Sequence, residues 1–244
     1  MSSVCAYAQT LSETPAVSPY RPSVSSPAQL PFPGQLELDM GWLSSHDSGG
    51  ARTSLPYQWK LAFNQEWGVL IGGEAQIWSR ENSLTRQHGS GDTSLTLKRA
   101  FLVNESEAWG VEIGAKLATA RSGFGSGKQD LNLNLIYSRD LGAVHLDVNG
   151  NVTQLGAVEL GESRLLHGLS TSLSAPMSEQ WAANLEWSGS YQRGAGAQTQ
   201  FLMALVYSPS RRLSLDVGMS RKLDQHQHVD SWFVGMVMPI ARLF

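Results

Sequence analysis

Trp109-Gly110-Val111-Glu112-Ile113-Gly114-Ala115-Lys116-Leu117 and, thirteen residues on, Asp130-Leu131-Asn132-Leu133-Asn134-Leu135 alternate between apolar residues and polar or small ones. A period of two places successive side chains on opposite faces of an extended chain, so each stretch predicts a strand with one greasy and one hydrophilic face. The same alternation recurs on both sides. Towards the N-terminus, residues 35–42 set Leu36, Leu38, Met40 and Trp42 against Glu37, Asp39 and Gly41. Residues 54–63, 67–78 and 93–101 follow, with Lys60, Glu74, Gln76 and Lys98 on the polar face and Ile77 on the apolar one. Towards the C-terminus come 144–152, with His145 and Asp147 polar, then 164–175, 181–192 with Glu186, 201–207, 213–220 with Asp216, and 231–244. The count is twelve segments, an even number.

The connections support the same reading. Short ones follow residues 63, 101, 137, 175 and 207, and longer polar ones, 44–52, 79–91, 118–129, 154–163, 193–198 and 221–229, lie between them. A transmembrane antiparallel up-and-down β-barrel with both termini in the periplasm predicts this asymmetry, with tight turns at one end and longer loops at the other. The apolar face then meets outer-membrane lipid, and Trp42, Trp67, Trp109, Tyr137, Trp181 and Tyr207 are expected at the membrane interfaces. In a soluble sandwich the same face would form a dry core. That alternative calls for a more highly charged exterior than 16% charged residues provide, where an ordinary soluble chain has roughly 25%.

Composition excludes several functions. The formal net charge of -3 leaves no basic excess to neutralise phosphates, so nucleic acid is not an expected partner. The single Cys5 excludes an intramolecular disulfide framework and a zinc site built on several thiolates. No stretch approaches the ~18 apolar residues of a spanning helix. Before the first strand, six of the ten prolines fall within residues 15–33, in a Ser-rich stretch without amphipathic period. Residues 11–34 therefore read as a disordered linker without a function of its own. Ala6-Tyr7-Ala8-Gln9 has the form of a signal-peptidase site, whose use would remove Cys5. The expected division is 1–34, a residual signal peptide and disordered Pro/Ser-rich periplasmic segment, and 35–244, an outer-membrane barrel.

Gly123-Phe124-Gly125-Ser126-Gly127-Lys128-Gln129-Asp130, running into the alternating strand, resembles the outer-membrane proteins of the phenol-degradation (MetA-type) pathway family. Lys116-Leu117-Ala118-Thr119-Ala120 stands where that family has Lys-x-Pro-Thr-Gly, without the proline. The resemblance extends loosely over residues 35–244. It implies a channel or carrier for small molecules, aromatic or apolar ones among them. The terminal Phe244 resembles the signal read by the outer-membrane assembly machinery of Gram-negative bacteria, which is an expected partner.

Other chemistries are weak. Gly125-Ser126-Gly127-Lys128 lacks the first glycine and the final Ser or Thr of a phosphate-binding loop and precedes a strand, so Gly123, Gly125, Gly127 and Lys128 are read as shaping an external loop at the channel entrance. His226-x-His228 has only Asp224 and Asp230 nearby and is read as solvated loop, so no metal is expected. His167 and Ser170, a conceivable pair for a lipid-modifying barrel enzyme, lie three apart and project to opposite faces of one strand. No catalytic residue and no cofactor are assigned. The polar face is the more informative constellation: Glu37, Asp39, Lys60, Glu74, Lys98, Glu112, Lys116, Asp130, His145, Asp147, Glu186 and Asp216 are expected to line the lumen. Twelve strands enclose an interior between the filled eight-stranded barrels and the open pores of sixteen or more. Passive diffusion of small solutes is the expected function. A non-conducting structural or adhesive barrel, plugged by its own paired charges, and the lipid-modifying enzyme remain as alternatives.

Overall fold

The computed structural model describes residues 15–81, 85–224 and 228–244, and all regular structure among them is β-strand. The strands are β1 (Gln35–His46), β2 (Gly50–Ala62), β3 (Trp67–Glu81), β4 (Thr85–Gly89), β5 (Thr93–Asn104), β6 (Glu107–Leu117), β7 (Asp130–Leu141), β8 (Val144–Gln154), β9 (Leu165–Pro176), β10 (Trp181–Gln192), β11 (Gly196–Ser210), β12 (Leu213–Leu223) and β13 (His228–Arg242). Each of the twelve predicted segments is a strand. Neighbours pair antiparallel in chain order, and β13 returns to β1, with Met236 opposite Met40 and Arg242 opposite Gln35. β3 pairs with β5 from Trp67 to Gly73 and with β4 from Ile77 onward. β4 and β5 are thus two parts of one stave, and the sheet closes as a twelve-stranded barrel.

The break in that stave has a local cause. Pro56 in β2 has no N–H to give the ladder, and opposite it β3 carries an extra residue: Ser54 pairs with Ile77 but Pro56 with Glu74. A one-residue bulge exchanges the faces of everything beyond it. Ile77, expected outside with Ile71, is therefore wholly buried inside, while Trp78 is exposed.

Apart from that shift, the faces fall as the alternation predicts. Ile113, Leu133, Leu185 and Met203 are 60%, 46%, 56% and 49% exposed, whereas Lys60, Lys98 and Glu37 are not exposed at all. This is the reverse of a water-soluble core, and it suits hydrocarbon outside and polar groups within. At the short-turn end, Trp109 packs on Tyr137 with ring centroids 4.7 Å apart, Trp181 on Tyr207 at 4.6 Å, and Arg99 lies over Trp67. Trp42 belongs to a second band nearer the other end, level with Val234 of β13. Trp181 and Tyr191 share one face of β10 ten residues apart, which is ~33 Å along the strand and ~25 Å in height at a tilt of about 40°, the height of a lipid-facing band.

Two expectations about connections are corrected. Stretches 44–52, 79–91, 193–198 and 221–229, read as loops, are half or more strand among the described residues. Beyond the lipid band a hairpin has water on both faces, so the hydrophobic period disappears while the ladder hydrogen bonds continue. Only 118–129 and 155–164 remain long connections among the described residues. The second correction is larger: residues 15–34, read as disordered linker, lie inside the barrel.

Candidate functional site: the lumen and the segment within it

A Pro-rich stretch makes no ladder of its own, yet every buried N–H and C=O must find a partner. In this chain the barrel wall supplies them. The segment enters at the short-turn end, where the Val17 amide donates to the Arg211 carbonyl. It rises to an apex at residues 23–26 and returns to Gly34, whose amide donates to Ala62 O. Its amides meet carboxylates: Ser18 N–H reaches Glu37 at 3.1 Å, Tyr20 N–H reaches Asp39 at 3.3 Å, and Val24 and Ser25 N–H reach Glu186 Oε2 at 2.8 and 2.9 Å. At the apex Asn149 both accepts from Ser26 N–H (2.8 Å) and donates to Ser26 O (2.9 Å). Ser138 accepts from Ala28 N–H at 2.7 Å, and Ala28 packs with Ala108 and Ile136.

The segment's carbonyls meet ammonium groups. Lys60 donates to Ser18 O and Lys98 to Pro27 O. Lys60 is also paired with Asp39 at 2.6 Å and Glu37 at 3.2 Å, and Lys98 with Glu112 at 2.9 Å. Between them lies the ring of Tyr20, 4.5 Å from Lys60 Nζ and 4.4 Å from Lys98 Nζ, while its hydroxyl donates to Gln29 O. A buried aromatic face attracts a desolvated cation, so one ring here engages two. Arg21 pairs with Asp216 at 3.2 Å. Its guanidinium lies against Gly41 and Gly235, which face each other across β1 and β13; a Cβ on Gly235 would stand 2.3 Å from Arg21 Nε. Gly110 admits Ala28 and Gly68 admits Leu30 in the same way.

The predicted lumen residues therefore fall into three groups. Glu37, Asp39, Lys60, Lys98, Glu112, Asp147, Glu186 and Asp216 are buried around the segment. Glu74 and the pair Lys116 and Asp130 stand nearer the long-loop rim, where Arg52 holds Glu74 at 2.6 Å and Lys116 reaches Asp130 at 2.9 Å and Asp92 at 3.3 Å. His145, near the short turns, lies between Asp140 (2.6 Å) and Asp147 (3.1 Å). Asp147 in turn accepts from Ser138 and Ser172.

In the 118–129 loop, Gly123 and Gly127 have φ of 89° and 65°, the left-handed conformation glycine permits, and β7 follows directly. Phe124 folds back over Gly89 of β4, Ser126 accepts from Lys116 at 3.0 Å, and Lys128 is exposed. His167 faces outward and is exposed, while Ser170 faces the lumen and bonds Ser25 Oγ at 2.9 Å, so the two are not brought together. His226, Cys5 and Ala6-Tyr7-Ala8 lie outside the described residues. A groove of about 700 Å³ among Leu185, Met203, Met219 and Trp232 is on the outer wall and faces lipid, apart from the aqueous path.

Sequence reasoning missed the segment itself. One signal was present: the predicted lumen positions comprise eight carboxylates against three lysines and one histidine, an excess that needs donors from elsewhere. Glycines 41, 110 and 235 on the inward face were a second.

Among solved structures, the COG4313 outer-membrane channel from Pseudomonas putida F1 superposes with a TM-score of 0.70 at 12% identity, over 92% of this chain and 100% of that one. The NanC porin superposes at 0.59 and 11% identity, over 83% and 100%, and the CymD monoaromatic hydrocarbon channel at 0.51 and 7%, over 86% and 89%. This chain has the fold of an outer-membrane channel. No family model and no curated protein matches the sequence.

Proposed function

We propose that the protein is an outer-membrane channel that passes small solutes by passive diffusion, with residues 15–34 setting its aperture. The observation that carries this reading is a closed barrel, apolar outside and polar inside, whose interior is occupied by a segment held through hydrogen bonds and ion pairs. Twelve strands 4.8 Å apart at a tilt of about 40° give a backbone diameter of ~24 Å, wide enough for a water path until the segment enters it. Polar contacts of this kind exchange with water, whereas an apolar plug would not. The inward charges are the proposed determinants of passage, and loop 118–129 the shape of the entrance. The MetA-type resemblance supports aromatic or apolar solutes among those carried, as does the fold of the CymD channel. Both termini are assigned to the periplasm, because β1 and β13 start and end at the short-turn end. Phe244, exposed there, is assigned to recognition by the assembly machinery.

The test is conductance in planar bilayers together with liposome swelling by solutes of graded size. The expected result is a small current that rises in Tyr20→Ala, where both lysines lose their shared ring. Current at the lipid background in both proteins would instead establish the non-conducting barrel, a reading favoured by the pairing of the deep charges with the segment.

A further inference from the structure

The apex of the segment divides the lumen into two chemically different halves. Below it, Lys60, Lys98 and Asp216 are held in ion pairs and Glu186 Oε2 takes the Val24 and Ser25 amides. Above it, Lys222 is the one charged residue among the described residues that line the cavity between β8 and β12, and Glu162 of the 155–164 loop is held by Gln192 nearer the rim. Two adjacent rows of inward positions cross these strands. Ser188 faces Gln200, which faces Lys222; in the next row Asn151 faces Gly168, Gly168 faces Ser190, and Ser190 faces Gln198. Together they line a cavity of about 250 Å³ whose floor is Val24 at the apex. A Cβ at Gly168 would stand 2.5 Å from Asn151 Oδ1, so the glycine lets that amide lie against the wall. Among the described residues, the side chains of Ser188, Ser190, Gln198, Gln200 and Lys222 bond no other protein group. They are half-buried, preformed and unpartnered.

Hydroxyls and amides both donate and accept, so this set matches a solute that does the same, and no carboxylate in the lining repels an anion. An apolar solute here would touch Val24, Leu166 and Leu169 but would displace the water on the hydroxyls and amides without replacing its hydrogen bonds. The volume holds roughly eight waters, about the bulk of one six-carbon sugar. We propose that this cavity is a binding station for one small hydroxyl-rich solute of monosaccharide size, with Lys222 favouring one that carries a single carboxylate. The inference deepens the channel reading and rests on it for the onward route of the solute.

The experiment is isothermal titration of the full chain in phosphocholine micelles, which carry no sugar headgroup, with gluconate, glucose and toluene as probes. Saturable binding is expected for gluconate and, more weakly, for glucose. Lys222→Gln should weaken gluconate about tenfold and leave glucose unchanged, while Ser188→Ala with Gln200→Ala should weaken both about tenfold. Circular dichroism confirms the β signal of each variant. No saturable heat with either sugar, unchanged binding in the variants, or toluene competing with gluconate would each overturn the station. Planar-bilayer currents on the same protein separate the two readings: current without sugar binding sinks the station and keeps the channel, and sugar binding without current does the opposite.

Discussion

Lys98 is wholly buried, and its ammonium is shared among Glu112, the Pro27 carbonyl and the face of Tyr20. Removing one member of such a set leaves an uncompensated charge, which costs more than removing both. Lys98→Met should therefore destabilise the barrel by about 3–5 kcal/mol, and Lys98→Met with Glu112→Leu by clearly less. Urea unfolding in micelles measures both; equal losses would show that the pair is solvated rather than buried. Gly235 tests the opposite kind of contact, where absence of a side chain makes room. Gly235→Leu must move Arg21 and strand Asp216, so the single-channel current should rise several-fold while the β signal stays. An unchanged current would mean that Arg21 does not hold the segment in place.

At the scale of elements, the segment and the wall satisfy most of one another's polar groups, Glu186 Oε1 and Asn134 Oδ1 being buried without a hydrogen-bond partner. Deleting residues 15–33 removes the amides that serve Glu37, Asp39 and Glu186 and the guanidinium that serves Asp216. Among the described residues, the bare lumen then exposes six buried carboxylates against two buried lysines. The deletion variant should conduct at least several-fold more than the full chain and prefer potassium over chloride, as read from the reversal potential in a salt gradient. A chloride preference would put the deep acids outside the conduction path. The strands themselves were legible because lipid on one side and water on the other impose period two. The segment was not, since its partners are backbone amides and carbonyls, which every residue carries and no sequence pattern marks. Its prolines signalled the lack of a ladder; that lack is what frees its amides to bind carboxylates.

For the whole molecule, the exposed apolar band is the decisive property. Leu185 lies midway between Trp181 and Tyr191 on the outer face of β10 and is 56% exposed. Leu185→Arg should cost about 2–4 kcal/mol in bilayers, the value for a cation at the midplane of a barrel's lipid face. Leu160→Arg, in the 155–164 loop where Leu160 is fully exposed, should cost almost nothing. Refolding titrations in lipid vesicles compare the two; similar costs would remove the membrane from the explanation.

The amino-acid sequence by itself determined the number of staves, which side of each meets lipid, and which charges turn inward, because those follow from a period fixed by backbone geometry and two solvents. Only the tertiary structure decided what those charges do. Closure brings Glu186 of β10 and Asp216 of β12 into reach of the segment at residues 15–34, more than a hundred residues away in sequence, and Pro56 shifts one face of β3 through its neighbour. Contacts of that kind depend on distance in space, and a local pattern carries no record of it.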